Sequence, residues 1–288
     1  MQKAFLPLSK NAFFIFASIL TYLVGAIFAG FEKSKFDLFS LVIGILVFLS
    51  IFSLQLLFNY FSTSKINPYS RVSFERGNKR GQLFIVTFAL FSILLLLIYT
   101  ILQMNKLIGV NLIYISLILV MLLLPIFRLG KIFYQTYNVI IEGIIVSPLM
   151  LLFGAGMQGM NPTNGHLLLT MALFFLYIAN RTSLLFEQYE RDFKIGERSL
   201  LNLIGWDNGI KIQNISLFLT YLVFLLYFYR NGSLGPNLPV MISAIIGVFS
   251  MYLLMRMARG LKPQWQVIKI TAFLHYFAVC YLLVYPLF

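Results

Sequence analysis

The chain has 288 residues, 60% hydrophobic, 17% aromatic and only 11% charged, with 22 Lys and Arg against nine Asp and Glu for a net charge of +13. A mean hydropathy of +0.89, sustained by long uncharged runs, excludes a soluble domain and indicates a polytopic membrane protein. The basic residues lie between apolar runs, as the flanks of membrane spans do, which excludes a nucleic-acid partner; the single Cys280 excludes an internal disulfide and a cysteine-built metal site.

Apolar runs predict nine spans in one domain covering residues 1–288. They fall at about 11–31, 38–61, 82–103, 108–127, 133–157, 166–186, 210–229, 237–257 and 266–287. Each is long enough to cross about 30 Å of hydrocarbon at about 1.5 Å per residue. The first run is too long for a signal peptide and lacks a small-residue cleavage site after it, so it is expected to remain as a span. Lys and Arg fix the orientation. Lys3 and Lys10, the 65–80 cluster, Arg128 and Lys131, the 191–211 cluster and Arg256 to Lys269 lie on one side. Lys33, Lys35, Lys106 and Arg230 lie on the other. The bias alternates along all nine spans and predicts an inside N-terminus and an outside C-terminus. Two inner loops, at about 63–81 and 187–209, are long and polar, whereas 157–166 reads as a Gly/Asn/Pro turn.

Several spans carry polar residues. Gln55, Asn59 and Ser62 recur at i, i+4, i+7 and form one stripe, which must face protein or a wet cavity; interhelical hydrogen bonding is the alternative to a site. The fifth span carries Gln135, Tyr137, Asn138 and Glu142. A carboxylate within a span needs a partner, for which Arg128, Lys131 or a residue on a neighbouring helix are candidates. The sixth span carries Asn180 and Arg181. His275 in the last span reads as hydrogen-bonded packing rather than a ligand.

The densest charge cluster is Leu184–Gly205, with Glu187, Glu190, Asp192 and Glu197 beside Arg191, Lys194 and Arg198. Carboxylates grouped with cations at a membrane surface suit a diphosphate held through Mg²⁺; a solvated cytoplasmic loop is the other reading. The sequence has no two-His metal motif, P-loop or nucleophile elbow.

Beyond these readings the chain resembles the UbiA superfamily of membrane prenyltransferases, and most its menaquinone-type (1,4-dihydroxy-2-naphthoate polyprenyltransferase-like) branch. Gln188 to Leu200, followed by Leu203-Ile204-Gly205, keeps the spacing of the family's second Asp-rich motif, with Asp192 at its second Asp position, Gln188 at its first and Glu187 at its Arg position. Phe58-Asn59-Tyr60-Phe61-Ser62 is similar to the first motif, with Asn59 and Ser62 replacing its two Asp residues. Arg71-Val72 with Gly77, and Tyr137 to Glu142 leading into Phe153-Gly154, resemble further elements of that branch.

The resemblance implies a single all-α bundle around a central cavity open to lipid, in the bacterial inner (cytoplasmic) membrane with its site facing the cytoplasm. It implies transfer of an isoprenyl group from a prenyl diphosphate to an aromatic or other lipophilic acceptor. Asp192, Glu190 and Glu142 would serve catalysis. Arg71, Lys79, Arg198, Lys194, Tyr137 and Asn138 would hold the diphosphate, and Asn59, Ser62, Gln188 and Asp192 would ligate Mg²⁺. Loss of motif carboxylates leaves two alternatives: terpene cyclisation of a prenyl diphosphate, or non-catalytic binding of an isoprenoid lipid.

Overall fold

The computed structural model describes residues 2–32, 36–63, 131–160, 163–189, 192, 199–231 and 234–287, and within these the side chains of all but 2–11, 54–63, 131–136 and 234–237. Every regular element among the described residues is helical. In chain order they are α1 (Gln2–Glu32), α2 (Leu38–Thr63), α3 (Lys131–Ile144), a π-helical turn (Ile145–Leu149), α4 (Met150–Met157), α5 (Asn164–Leu185), α6 (Leu200–Ile204), α7 (Trp206–Arg230), α8 (Leu234–Ile242), α9 (Ala244–Ala258) and α10 (Trp265–Val284).

Six helical stretches among the described residues are long and apolar enough to cross a membrane: Ala12–Glu32, Tyr137–Met157, Asn164–Gln188, Trp206–Arg230, Leu238–Ala258 and Trp265–Leu287. Leu38–Ser53 is a shorter apolar stretch of α2. The expected spans at 82–103 and 108–127 lie outside the described residues. Large side chains such as Phe218, Leu225, Ile245, Val248, Ile270 and Leu274 point outward from α7, α9 and α10, as helices solvated by lipid require.

The centre is built by α5 and by the α3–α4 rod. Glu142 meets Arg181 and Ser147 meets the Thr170 carbonyl, so these two run antiparallel. The α5 and α7 helices are also antiparallel, with Gly165 near Tyr227 and Phe186 against Gly209. In contrast α1 runs parallel to α4, and the two approach backbone to backbone. A methyl group added at Gly25 would strike the Leu151 carbonyl oxygen, and one at Gly154 the Tyr22 carbonyl oxygen. Small residues are what permit such close approach where lipid supplies no hydrophobic drive between helices.

Breaks in the helices have local causes. Pro148 has no N–H to donate, and its ring crowds the preceding turn, so the chain widens into the π-helical turn Ile145–Leu149. At the turn after α4, Gly159 takes φ 74°. There Gln158 forms a reciprocal pair with Asp37, accepting from its N–H and donating to its carbonyl, both at 2.9 Å. Thr163 and His166 then cap α5.

One expected boundary is corrected. In the inner loop expected at 187–209, α6 and the first turn of α7 occupy the second half. Ser199 caps α6 by accepting from the Asn202 N–H at 3.3 Å. Gly205, at φ 80°, then stops α6 and redirects the chain into α7 within one residue. The eighth apolar run, expected at 237–257, matches the apolar stretch Leu238–Ala258, and its helix breaks at Ser243 between α8 and α9, one turn after Pro239.

Candidate functional site: a polar core inside the bundle

The α5 helix carries four consecutive buried polar residues, Asn180, Arg181, Thr182 and Ser183. Residues four apart share a helix face, so Tyr177 and Arg181 turn together towards α3. There the Glu142 Oε2 accepts from the Tyr177 hydroxyl at 2.8 Å and from Arg181 Nε at 2.9 Å, while Oε1 accepts from Arg181 Nη2 at 3.4 Å. Glu142 is 7% and Arg181 5% exposed. Either charge alone would be costly so deep in an apolar bundle; the bonded pair removes the net charge. The partner that Glu142 was expected to need is therefore Arg181 on a neighbouring helix.

Asn180 points the other way. Its Nδ2 donates to the Leu176 carbonyl at 3.1 Å, and its Oδ1 lies 3.2 Å from His275 Nδ1. His275 Nε2 is 2.7 Å from the Tyr221 hydroxyl, which is 2.9 Å from Ser243 Oγ. An amide oxygen only accepts, so with Asn180 in this orientation His275 Nδ1 carries the proton. His275 is completely buried and stacked on Tyr221. It ties α5, α7, α10 and the α8–α9 junction together, which is the packing role its sequence context suggested.

The end of the bundle where α5 finishes, called here the loop face, gathers the second group. A short 3₁₀ turn, Phe186–Gln188, extends α5. Glu187 pairs with Lys269 of α10 at 2.8 Å. Trp206 packs edge-on against Phe186 and Tyr189, with ring centroids 4.6 and 5.7 Å apart. Gln188 is half-buried and Asp192 is buried. On α3, Asn138 lies one turn nearer this face than Glu142, and its buried Oδ1 has no hydrogen-bond partner among the described residues. Tyr137 sits at a kink (φ −105°, ψ 19°) and is 40% exposed.

The remaining candidates divide simply. Asn59 and Ser62 lie on the last turns of α2, and their side chains are outside the described set. Arg71, Lys79, Glu190, Lys194 and Arg198 lie outside the described residues. Among the described residues no three His, Cys, Asp or Glu side chains converge. Tyr177, Tyr221, Ser243 and the buried Gln213 were not singled out from sequence. The i, i+4 spacing of Tyr177 to Arg181 was the one available signal for the first.

No model of a known protein family matches the chain, and no curated protein matches it.

Proposed function

We propose that this protein is a divergent intramembrane prenyltransferase, acting on a prenyl diphosphate and a lipophilic acceptor at the loop face. The observation that carries the reading is the burial of Asp192, a carboxylate drawn out of solvent directly after the α5 extension that holds Gln188. A solvated loop has no reason to bury a carboxylate, because desolvation is costly unless a cation or donors repay it. The resemblance of this segment to the second UbiA motif supplies the chemistry. In this reading the protein has nine spans around a central cavity, with the loop face on the cytoplasmic side of a bacterial inner membrane.

Mg²⁺ is ordinarily bound through one or two carboxylates plus substrate phosphates. Asp192 with the Gln188 amide oxygen meets the lower end of that demand, and Asn59 and Ser62 would add neutral oxygens. The ion would neutralise charge on the departing diphosphate. Lys194, Arg198, Arg71 and Lys79 would share that load; the Asn138 amide N–H would donate to the diphosphate, and its oxygen would accept from a hydroxyl of the lipophilic acceptor. Glu142 is assigned a positioning role in place of direct catalysis, because both of its oxygens are already occupied by Tyr177 and Arg181.

One observation favours a second reading, non-catalytic binding of an isoprenoid lipid. Glu142 and Glu187 are both committed to cations, which leaves little carboxylate for a metal among the described residues. Reconstitution in liposomes with radiolabelled prenyl diphosphates and a lipid extract separates the readings. Prenylated acceptor should form, and Asp192→Ala should cut turnover by at least roughly 100-fold, the scale on which one charge-stabilising group acts. Arg198→Ala should weaken substrate binding. A terpene formed without acceptor would assign cyclisation, and tight binding with no product would establish the binding protein.

A further inference from the structure

At the end of the bundle opposite the loop face, the ends of α1, α7 and α10 and the start of α5 frame a half-open cavity of about 590 Å³. That is the size of pocket that holds a small molecule of drug-like dimensions (about 300–1,000 Å³). Phe28, Phe31 and Leu169 supply apolar wall, with Tyr227, Glu32 and His166 among the polar lining. Among the described residues Glu32 is the one charged group lining it.

Two details restrict what would bind. A carboxylate in one lining with three aromatic rings, and no Lys or Arg beside it among the described residues, matches the recognition of an ammonium group, which takes a counter-charge and ring faces together. His166 is buried, and its Nδ1 is taken by the Thr163 hydroxyl at 2.6 Å and backbone N–H at 3.4 Å. The backbone N–H can only donate, so Nδ1 accepts and the ring proton sits on Nε2, which has no hydrogen-bond partner among the described residues. That N–H is itself buried, so the ring closes off the start of α5 and offers the cavity no exposed donor.

We propose that this cavity binds a membrane-soluble amphiphile bearing a positively charged amino group on an apolar body. The site lies at the opposite end from Asp192, so it stands whether or not prenyl transfer does. The test uses full-length protein in nanodiscs and a dodecylamine carrying a mid-chain diazirine, with the crosslinked peptides mapped by mass spectrometry. Labelling should concentrate on 28–32, 163–169 and 283–287. Dodecylamine and dodecyltrimethylammonium should compete with it, whereas dodecanol and dodecyl sulfate should not. Glu32→Gln, an isosteric change at an exposed position, should weaken competition about tenfold. Leu169→Trp should abolish labelling by filling the space. Competition by phosphatidylethanolamine but not phosphatidylglycerol nanodiscs would assign a lipid head group as the source of the amine. No competition from either would assign a free amphiphilic amine. Labelling spread over the lipid-facing helices, equal competition by dodecanol, or indifference to Glu32→Gln would overturn the proposal.

Discussion

Breaking the Glu142–Arg181 pair is the sharpest perturbation this fold offers. Both groups are almost fully buried, at 7% and 5% exposure, and the carboxylate also holds Tyr177. Glu142→Met leaves a guanidinium without its counter-charge; Arg181→Met leaves a carboxylate with only a hydroxyl. Removal of one partner from a buried pair costs about 3–5 kcal/mol, whereas replacing both by apolar side chains of similar size is close to neutral or stabilising. Each single variant should therefore lose roughly two to three and a half orders of magnitude in the folded-to-unfolded ratio, at about 1.4 kcal/mol per decade. The double variant should recover at least half of that. Tyr177→Phe should cost far less, about 0.6 kcal/mol, the average for an interhelical hydrogen bond in a membrane. Reversible unfolding in mixed micelles measures this directly. Trp206, packed on Phe186 and Tyr189, supplies the fluorescence signal, with Trp265→Phe removing the only other tryptophan. Additive single-variant losses, with no recovery in the double variant, would refute the reasoning.

Other consequences follow from close contacts and turns. Gly154→Ala and Gly25→Ala should each destabilise by about 1–3 kcal/mol, because the new methyl meets a backbone carbonyl that cannot rotate away. Gly165→Ala, whose nearest new contact is 3.6 Å away, should be neutral or stabilising by up to about 1 kcal/mol; equal effects at all three in the same unfolding assay would contradict the assigned helix contact. Gln158→Leu removes both hydrogen bonds to Asp37 and should cost about 1–3 kcal/mol, with faster amide exchange confined to the 36–41 turn; unchanged exchange there would contradict it.

Much of this architecture could be read from the chain, for physical reasons that also mark where reading stopped. Apolar run length located the helices, because a single long apolar segment satisfies its own backbone in lipid only as a helix. The need of Glu142 for a partner followed from the cost of a buried charge, but the partner's identity depended on which face α5 turns to α3. Helix register sets that, through Tyr177 and Arg181. Turn chemistry at Gly159 and Thr163 was visible as Gly, Asn and Pro. The stop at Gly205 was not read, since a charged stretch with a glycine looks like loop throughout. The Asn180–His275–Tyr221–Ser243 chain was invisible for another reason. Tyr and Ser are common in spans, and only three-dimensional packing brings together residues up to 95 positions apart. The cavity around Glu32 escaped for the same reason, because its lining comes from four separate helix ends.

The central claim is that Asp192 and its neighbours still support ionisation of a prenyl diphosphate. The most direct measurement is release of inorganic diphosphate by purified protein in lipid, with and without Mg²⁺, across prenyl diphosphates of several chain lengths. The account predicts release that depends on Mg²⁺, is abolished by EDTA and restored by adding the ion back, and is lost in Asp192→Ala while that variant keeps the wild-type unfolding midpoint. Absence of release from every prenyl diphosphate, or release that Asp192→Ala leaves intact, would contradict it.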